Sequence, residues 1–273
     1  MPELPEVETL RRQLGGLAGV AWSRVVARPS SLFRTPAAEM ASRLAGRALA
    51  RAGRKGKVLL LAFDSGDVLL VHLGMSGQVL LAPPAAPGAT HRHLEAELAD
   101  GRRLVFRDPR RFGFLRLARG GVLDGLREVA CVGADPLEAG LSWDRFAAGF
   151  HARAGAVKAR LLDQALWAGI GNVYADEILH AARLKPARAA ASLTPPELKG
   201  LFHAVRDVLA AAVEAGGTSF DEAYTDLFGR PGLFGGRLAV YGRAGEPCPR
   251  CHSPLVAATV AGRSSVYCPH CQK

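Results

Sequence analysis

Cys248-x2-Cys251 and Cys268-x2-Cys271 stand near the end of the chain with sixteen residues between the pairs. This two-knuckle spacing closes a tetrahedral four-thiolate site. The segment around it holds too little apolar material to bury a core of its own, and zinc would supply about 10–16 kcal/mol of apparent binding free energy to order it. Four thiolates leave no open coordination position, so the spacing predicts one zinc ion in a structural role. Two disulfides are the competing reading. The fifth cysteine, Cys131, stands by itself in an apolar stretch and is expected to be a buried small hydrophobe. Between the pairs, Val260-Ala261-Gly262-Arg263-Ser264-Ser265 reads as the polar tip of a hairpin: a solvated turn, or a metal-fixed carrier of Arg263 onto a groove or phosphate.

The remaining chain is long enough for one large domain or two modest ones, 273 residues at 49% apolar. No apolar run approaches the roughly eighteen residues of a membrane span, and the opening Met1-Pro2-Glu3 lacks the basic and then apolar texture of a secretion leader. A cytoplasmic protein without a membrane partner is expected. Thirty-five Lys plus Arg against twenty-five Asp plus Glu give +10, with a pI near 9.9. That balance favours a polyanionic partner, nucleic acid first, over acidic ones, although a solubilising surface would give the same total. The cations are unevenly placed: residues 1–60 hold eleven against four acids, and residues 100–120 hold seven Arg against two Asp.

From Pro5, the stripe Val7, Leu10, Leu14 and Leu17, with Glu6 and Glu8 in its first turn, predicts an amphipathic helix almost at the amino terminus. Short apolar or alternating runs at 57–63, 68–73, 78–82, 93–99, 103–107 and 112–117 predict antiparallel hairpins in a sandwich or small barrel. Ala/Leu/Arg-rich segments from about residue 142 to 215 read as helices. The glycine-rich run 216–236 reads as a mobile loop, too poor in side chains for a packed element. The predicted domains are 1–130, a linker 131–141, 142–236 including that loop, and 237–273.

Pro2 becomes a chemical group if Met1 is removed, as is usual before a small second residue. An α-amino group titrates near 7.7–8, well below lysine, and can act as a nucleophile without deep burial. Attack on a sugar anomeric carbon would give an iminium. Glu3 beside it can protonate the ribose ring oxygen, a role worth about 10² to 10⁴ in rate. The plainer reading of Pro2, Glu3, Pro5 and Glu6 is a helix start with acids at the positive end of the dipole.

Six motifs occur in one order along the chain: Pro2-Glu3-Leu4-Pro5-Glu6-Val7-Glu8, His72-Leu73-Gly74-Met75-Ser76-Gly77, Asp108-Pro109-Arg110-Arg111-Phe112-Gly113, Gly169-Ile170-Gly171-Asn172-Val173-Tyr174-Ala175-Asp176-Glu177, Val240-Tyr241-Gly242-Arg243 and the four cysteines. Together they resemble the formamidopyrimidine-DNA glycosylases over essentially the whole chain. The resemblance implies an α+β protein: an amino-terminal β-sandwich flanked by helices, a helical domain with a helix-two-turn-helix, and a carboxy-terminal four-cysteine zinc finger. It also implies a monomer acting on damaged double-stranded DNA in the nucleoid, as glycosylase and abasic-site lyase.

Carried onto this sequence, the resemblance makes Pro2 the Schiff-base nucleophile, Glu3 the acid acting on ribose, and Glu6 the carboxylate supporting the helix start. Lys57 becomes the lysine reaching phosphate near the lesion, with Lys55 its local competitor. Met75, Arg110 and Phe112, with Arg111 beside them, resemble residues that fill the void left by a flipped base; Met75 and Phe112 read otherwise as strand core. Lys57, His72, Asn172, Tyr241 and Arg263 resemble a phosphate clamp, Asn172 doubling as a helix cap. Five neutralised phosphates would give a salt slope near −4.5. Gly217, Thr218, Ser219 and Tyr224 fall in the lesion-recognition loop, which carries Asp221, Glu222 and Asp226, more acidic than a base cradle should be. The run His151-Ala152-Arg153-Ala154-Gly155 before Lys158 is less basic than the family pattern. The implied reaction is removal of 8-oxoguanine opposite cytosine and of ring-opened purines, followed by β- and δ-elimination. An endonuclease VIII-like pyrimidine glycosylase is the neighbouring reading, against which Leu4 and Arg110-Arg111-Phe112 argue. A non-catalytic zinc-finger DNA-binding protein would leave Pro2-Glu3 unexplained.

Overall fold

The structure, a computed structural model, describes residues 2–83, 90–151, 154–220 and 224–273. Helix α1 (Leu4–Gly15) starts at Glu3, which closes a reciprocal capping box with Glu6, and Pro5 lies in its first turn where no amide is needed. Val7, Leu10 and Leu14 are fully buried, the stripe read from the sequence.

Eight strands follow around a second helix: β1 (Ala21–Ala27), α2 (Ala37–Leu44), β2 (Arg47–Lys55), β3 (Val58–Phe63), β4 (Val68–His72), β5 (Gln78–Ala82), β6 (Arg92–Leu98), β7 (Arg103–Arg107) and β8 (Phe114–Ala118). They pair antiparallel in the order β5-β7-β6-β1-β2-β3-β4-β8. The β1–β2 seam has only two registered pairs, Ala21 with Ala48 and Trp22 with Arg47. Four-stranded halves on either side of the seam bury their faces in one shared core, where the Trp22 and Phe63 rings meet edge to face at 4.8 Å. This is the packing expected of a sandwich. A short helix α3 (Arg127–Ala130) closes this stretch.

The chain divides into two compact units, residues 1–130 with 215–235 and residues 131–214 with 236–273. The glycine-rich segment therefore packs with the sheet, not with the helices that precede it in sequence. Nor is it without packed side chains: Tyr224 and Leu227 lie in the sheet core at 3% and 0% exposure, and the Leu227 carbonyl accepts from the Leu81 amide on β5. Asp221 and Glu222 lie outside the described residues.

In the second unit, α4 (Trp143–His151), α5 (Val157–Leu162), α6 (Asn172–Ala181) and α7 (Pro195–Glu214) surround Phe146, Phe150 and Trp167, whose rings stack or tilt within 5.7 Å. The turn between α5 and α6 is tied by Gln164, whose amide donates to the Ile170 carbonyl and accepts from Gly169 N–H. The hairpin β9 (Val256–Val260) and β10 (Arg263–Tyr267) turns through Ala261 and Gly262, both at positive φ, as a two-residue hairpin requires. Its segment is fastened to the residues after α6, where Lys273 N–H donates to Arg183 and Gln272 to the Leu184 carbonyl. Cys131 is exposed, a correction to its expected burial: the turn that holds it leaves its side chain in solvent.

Candidate functional site

Pro2 is buried immediately before the α1 cap, and Glu3 and Glu6 are each 2% exposed. The Glu3 amide donates to Glu6 Oε2 at 2.7 Å, and the Thr218 amide donates to Glu6 Oε1 at the same distance. One carboxylate thus joins the start of α1 to the glycine-rich segment. Gly217 has φ +85°, and a Cβ there would lie 2.7 Å from Glu6 Oε1, so only glycine allows the approach. Tyr224 donates from its hydroxyl towards the Glu6 and Gly216 carbonyls at 3.3 and 3.2 Å. Burial, with the Glu6 charge second, pushes its phenol far above the usual range. Ser219 Oγ donates to the Tyr224 carbonyl and accepts from Gly232 N–H. Gly217, Thr218, Ser219 and Tyr224 therefore gather around the cap of α1.

Met75, Arg110 and Phe112 come from two turns that touch backbone to backbone. Gly74 (φ +60°) would place a Cβ 2.3 Å from the Phe112 carbonyl carbon, and Gly113 would place one 2.4 Å from the His72 oxygen. Fully buried Asp108 locks the turns together, accepting from Ser76 Oγ at 2.6 Å and Gly113 N–H at 2.8 Å. Ser76 Oγ in turn accepts from the Arg110 amide. Out of this frame project Met75 (40% exposed) and Phe112 (55%), with the Arg110 guanidinium 4.9 Å from the Phe112 ring centre. They are surface side chains, so the strand-core reading fails for both.

His72 ends β4 opposite Val58, next in chain to Lys57. Its ring stacks on Phe114 at 5.2 Å, and Nδ1 accepts from Gly74 N–H. Burial, then the charges of Lys57 and Arg34, push it down to about 4. With Nδ1 accepting, the neutral ring carries its proton on Nε2 and can donate from there. Asn172 and Tyr241 are uncharged too, so of the five residues expected to clamp phosphate only Lys57 and Arg263 have cationic side chains, and a clamp of this set would give a slope of about −1.8. Arg111 (φ +56°) lines a cleft of about 350 Å³ with Arg28, Pro29, His91, Arg92 and His93. Sequence reading passed over Arg28, His91 and Arg92; the cation excess at the amino-terminal end held a trace of the first, and nothing linked it to the others.

In the second unit, Asn172 opens α6 and its Nδ2 donates to the Ser264 carbonyl at 3.0 Å, next to exposed Arg263. Fully buried Lys158 reaches the same carbonyl at 2.6 Å and Asp176 at 2.7 Å, and Asp176 also accepts from Ser265 Oγ and Val266 N–H. Glu177 accepts the amides of Ala239, Val240 and Tyr241 within 2.9 Å, fixing the turn that carries Tyr241. Burial pushes both acids up, while these bonds pull them back. Buried acids at adjacent positions of a helix were visible in the sequence only as part of a motif.

The four cysteine Sγ atoms lie within 4.8 Å of one another, 3.5 Å between Cys251 and Cys268 and 3.9 Å between Cys248 and Cys271. A tetrahedron with Zn–S bonds of about 2.3 Å needs sulfurs about 3.8 Å apart. Backbone amides already point at sulfur, among them Arg250 N–H at Cys248 and Cys271 N–H at Cys268. This is the site of one structural zinc, with no position left for a reactant.

A sheet unit, a helix-two-turn-helix and a four-thiolate finger, in that order, define the architecture of a DNA glycosylase. Family models match throughout: the formamidopyrimidine-DNA glycosylase N-terminal domain over residues 1–115, its H2TH domain over 132–223, and the zinc finger found in FPG and IleRS over 245–273. A formamidopyrimidine-DNA glycosylase from Salinispora arenicola is 45% identical, across 100% of this chain and 96% of its own. The crystal structure of the MutM (Fpg) protein from Thermus thermophilus superposes with a TM-score of 0.88 at 43% identity, covering 99% of this chain and 98% of that one. Wild-type Lactococcus lactis Fpg (MutM), solved with DNA containing N7-benzyl-Fapy-dG, gives 0.91 at 31% identity, with both chains fully covered. The chain belongs to the formamidopyrimidine-DNA glycosylase family.

Proposed function

We propose that the protein removes 8-oxoguanine opposite cytosine, and formamidopyrimidines, from duplex DNA and then cuts the strand at the resulting site. The observation that carries this reading is the cap of α1: Pro2 buried against Glu3, whose amide is held by Glu6, itself held by Thr218 of the glycine-rich segment. With Met1 removed, the Pro2 nitrogen lies at the positive end of a helix, which disfavours its ammonium form. The nitrogen attacks C1′ as the bond to the base breaks, and the proton the nitrogen sheds leaves with the base. Glu3 protonates the ring oxygen, opening the sugar to an iminium. Loss of the C2′ proton expels the 3′ phosphate, a second elimination expels the 5′ phosphate, and water hydrolyses the iminium to release the sugar remnant.

A base in a duplex hides its glycosidic bond, so the nucleotide must be extruded at a cost of a few kcal/mol. Met75, Phe112 and Arg110 fill the space left behind, Arg110 bonding the orphaned cytosine. Lys57, His72, Asn172, Tyr241 and Arg263 hold the bent backbone, and the glycine-rich segment frames the extruded base. Zinc, held by Cys248, Cys251, Cys268 and Cys271, fixes the hairpin that presents Arg263. No helix among the described residues is long and apolar enough to cross a membrane; the protein acts as a monomer on the nucleoid in the cytoplasm.

Borohydride added to the protein with a duplex bearing one 8-oxoguanine opposite cytosine should trap an adduct whose peptide maps to Pro2. Glu3→Gln or a blocked amino terminus should abolish it. Tight binding without an adduct, or trapping only on oxidised pyrimidines, would overturn the assignment.

A further inference from the structure

The zinc site has a neighbour that the reaction does not use. His180, 3% exposed in the last turn of α6, places Nε2 3.5 Å from Cys248 Sγ. Arg250, between the first two ligands, turns back to donate from its guanidinium to the His180 and Ala181 carbonyls at 3.1 and 3.4 Å. Helix and knuckle thus exchange contacts in both directions within four residues.

We propose that His180 is a positioning residue for the metal: Nε2–H donates a hydrogen bond to the Cys248 thiolate and holds zinc in the finger. A metal-bound thiolate has no proton to give, so the bond has one polarity and the ring must carry its proton on Nε2. Four thiolates around one divalent ion leave a net charge of −2, and each N–H aimed at sulfur offsets part of it. Cys248 has the Arg250 amide at 3.5 Å and is fully buried, beyond the reach of solvent hydrogen bonds. His180 is the side-chain donor that water cannot replace there. The same helix opens with Asn172 on the Ser264 carbonyl, so α6 grips the finger at the metal and at the hairpin tip. The inference concerns metal retention and does not depend on which lesion is excised.

In the full-length protein loaded with cadmium-113, a scalar correlation between the metal and the His180 Hε2 proton is expected. Its absence, with the Arg250 and Cys271 amide protons correlating, would overturn the proposal without any variant. In the zinc-loaded protein, His180→Phe keeps a ring of similar volume without the donor. It should release zinc to excess chelator about 10–100-fold faster. In the cobalt-substituted form its thiolate-to-metal charge-transfer band should move to lower energy. His180→Gln, which restores an N–H, should recover part of both. Unchanged release in His180→Phe sinks the idea, as does faster release in both variants with the cobalt band unmoved, since that is a packing effect alone.

Discussion

Among the described residues, α1 with its cap and α6 both carry clustered buried acids, and the two clusters serve opposite ends. At α1, Glu3 and Glu6 are each 2% exposed; at α6, Asp176 and Glu177 are 1% and 5% exposed. Glu177 takes three backbone amides and Asp176 a lysine, a hydroxyl and an amide, so both are occupied in fastening one segment to another. Glu6 is a fastener of the same sort, accepting amides from Glu3 and Thr218. The difference lies in what is fastened: α6 anchors structure, whereas Glu6 places the residue adjoining the nitrogen proposed above as the nucleophile. Burial of a carboxylate thus marks a structural commitment, and the group at the far end of its hydrogen bonds distinguishes a hinge pin from a reaction centre.

Stripping zinc should separate the two regions most widely. Ordering worth about 10–16 kcal/mol is lost from the finger. Duplex binding measured by fluorescence anisotropy should weaken by more than about 10²-fold, while the near-ultraviolet dichroism of Trp22 on Phe63 persists. Next come paired substitutions. Glu6→Gln keeps one acceptor but sets its NH2 against either the Glu3 or the Thr218 amide, and should slow single-turnover excision about 10²-fold or more. Glu177→Gln should cost about 1–3 kcal/mol in denaturant melts and leave the rate at saturating DNA within about threefold. Equal effects on rate would erase the contrast.

Glycines offer a finer comparison. Gly217→Ala meets both positive φ and the Glu6 carboxylate, and should cost about 2–3 kcal/mol together with excision activity. Gly262→Ala, at φ +73° with open space around it, should cost about 1 kcal/mol and leave activity intact. His72 supplies a pH test. Its folded value of about 4 lies below the ordinary 6.5, so the unfolded chain binds more protons between them. Stability should fall as pH drops from 6.5 to 4 and level off below; His72→Gln should remove that part of the slope. Smallest is Arg263→Ala, expected to reduce the salt slope of binding by about 0.9.

The amphipathic helix, six strands and the cysteine site were legible from their period or spacing, and the helical character of residues 142–215 from composition. Strands β1 and β2 and helix α2 escaped the reading: Ala21–Ala27 and Arg47–Lys55 carry arginines among their apolar residues, and β1 pairs with the distant β6, although β2 forms a tight hairpin with β3. The glycine-rich segment misled for a related reason. Tyr224 and Leu227 enter the core at irregular intervals, and no period betrays a segment whose partners are Glu6, Gln13 and Leu81. Nothing in the sequence marks His180, because its neighbour Cys248 is brought beside it only by the fold.

The turns bearing Met75, Arg110 and Phe112 meet at two glycines with no room for another atom, and a buried aspartate stitches them together. As the void fillers proposed above, side chains mounted this way would have their ordering complete before contact, so pressing them against an undamaged base step would cost little conformational entropy. Resistance at each step would then report on the stacking of the duplex.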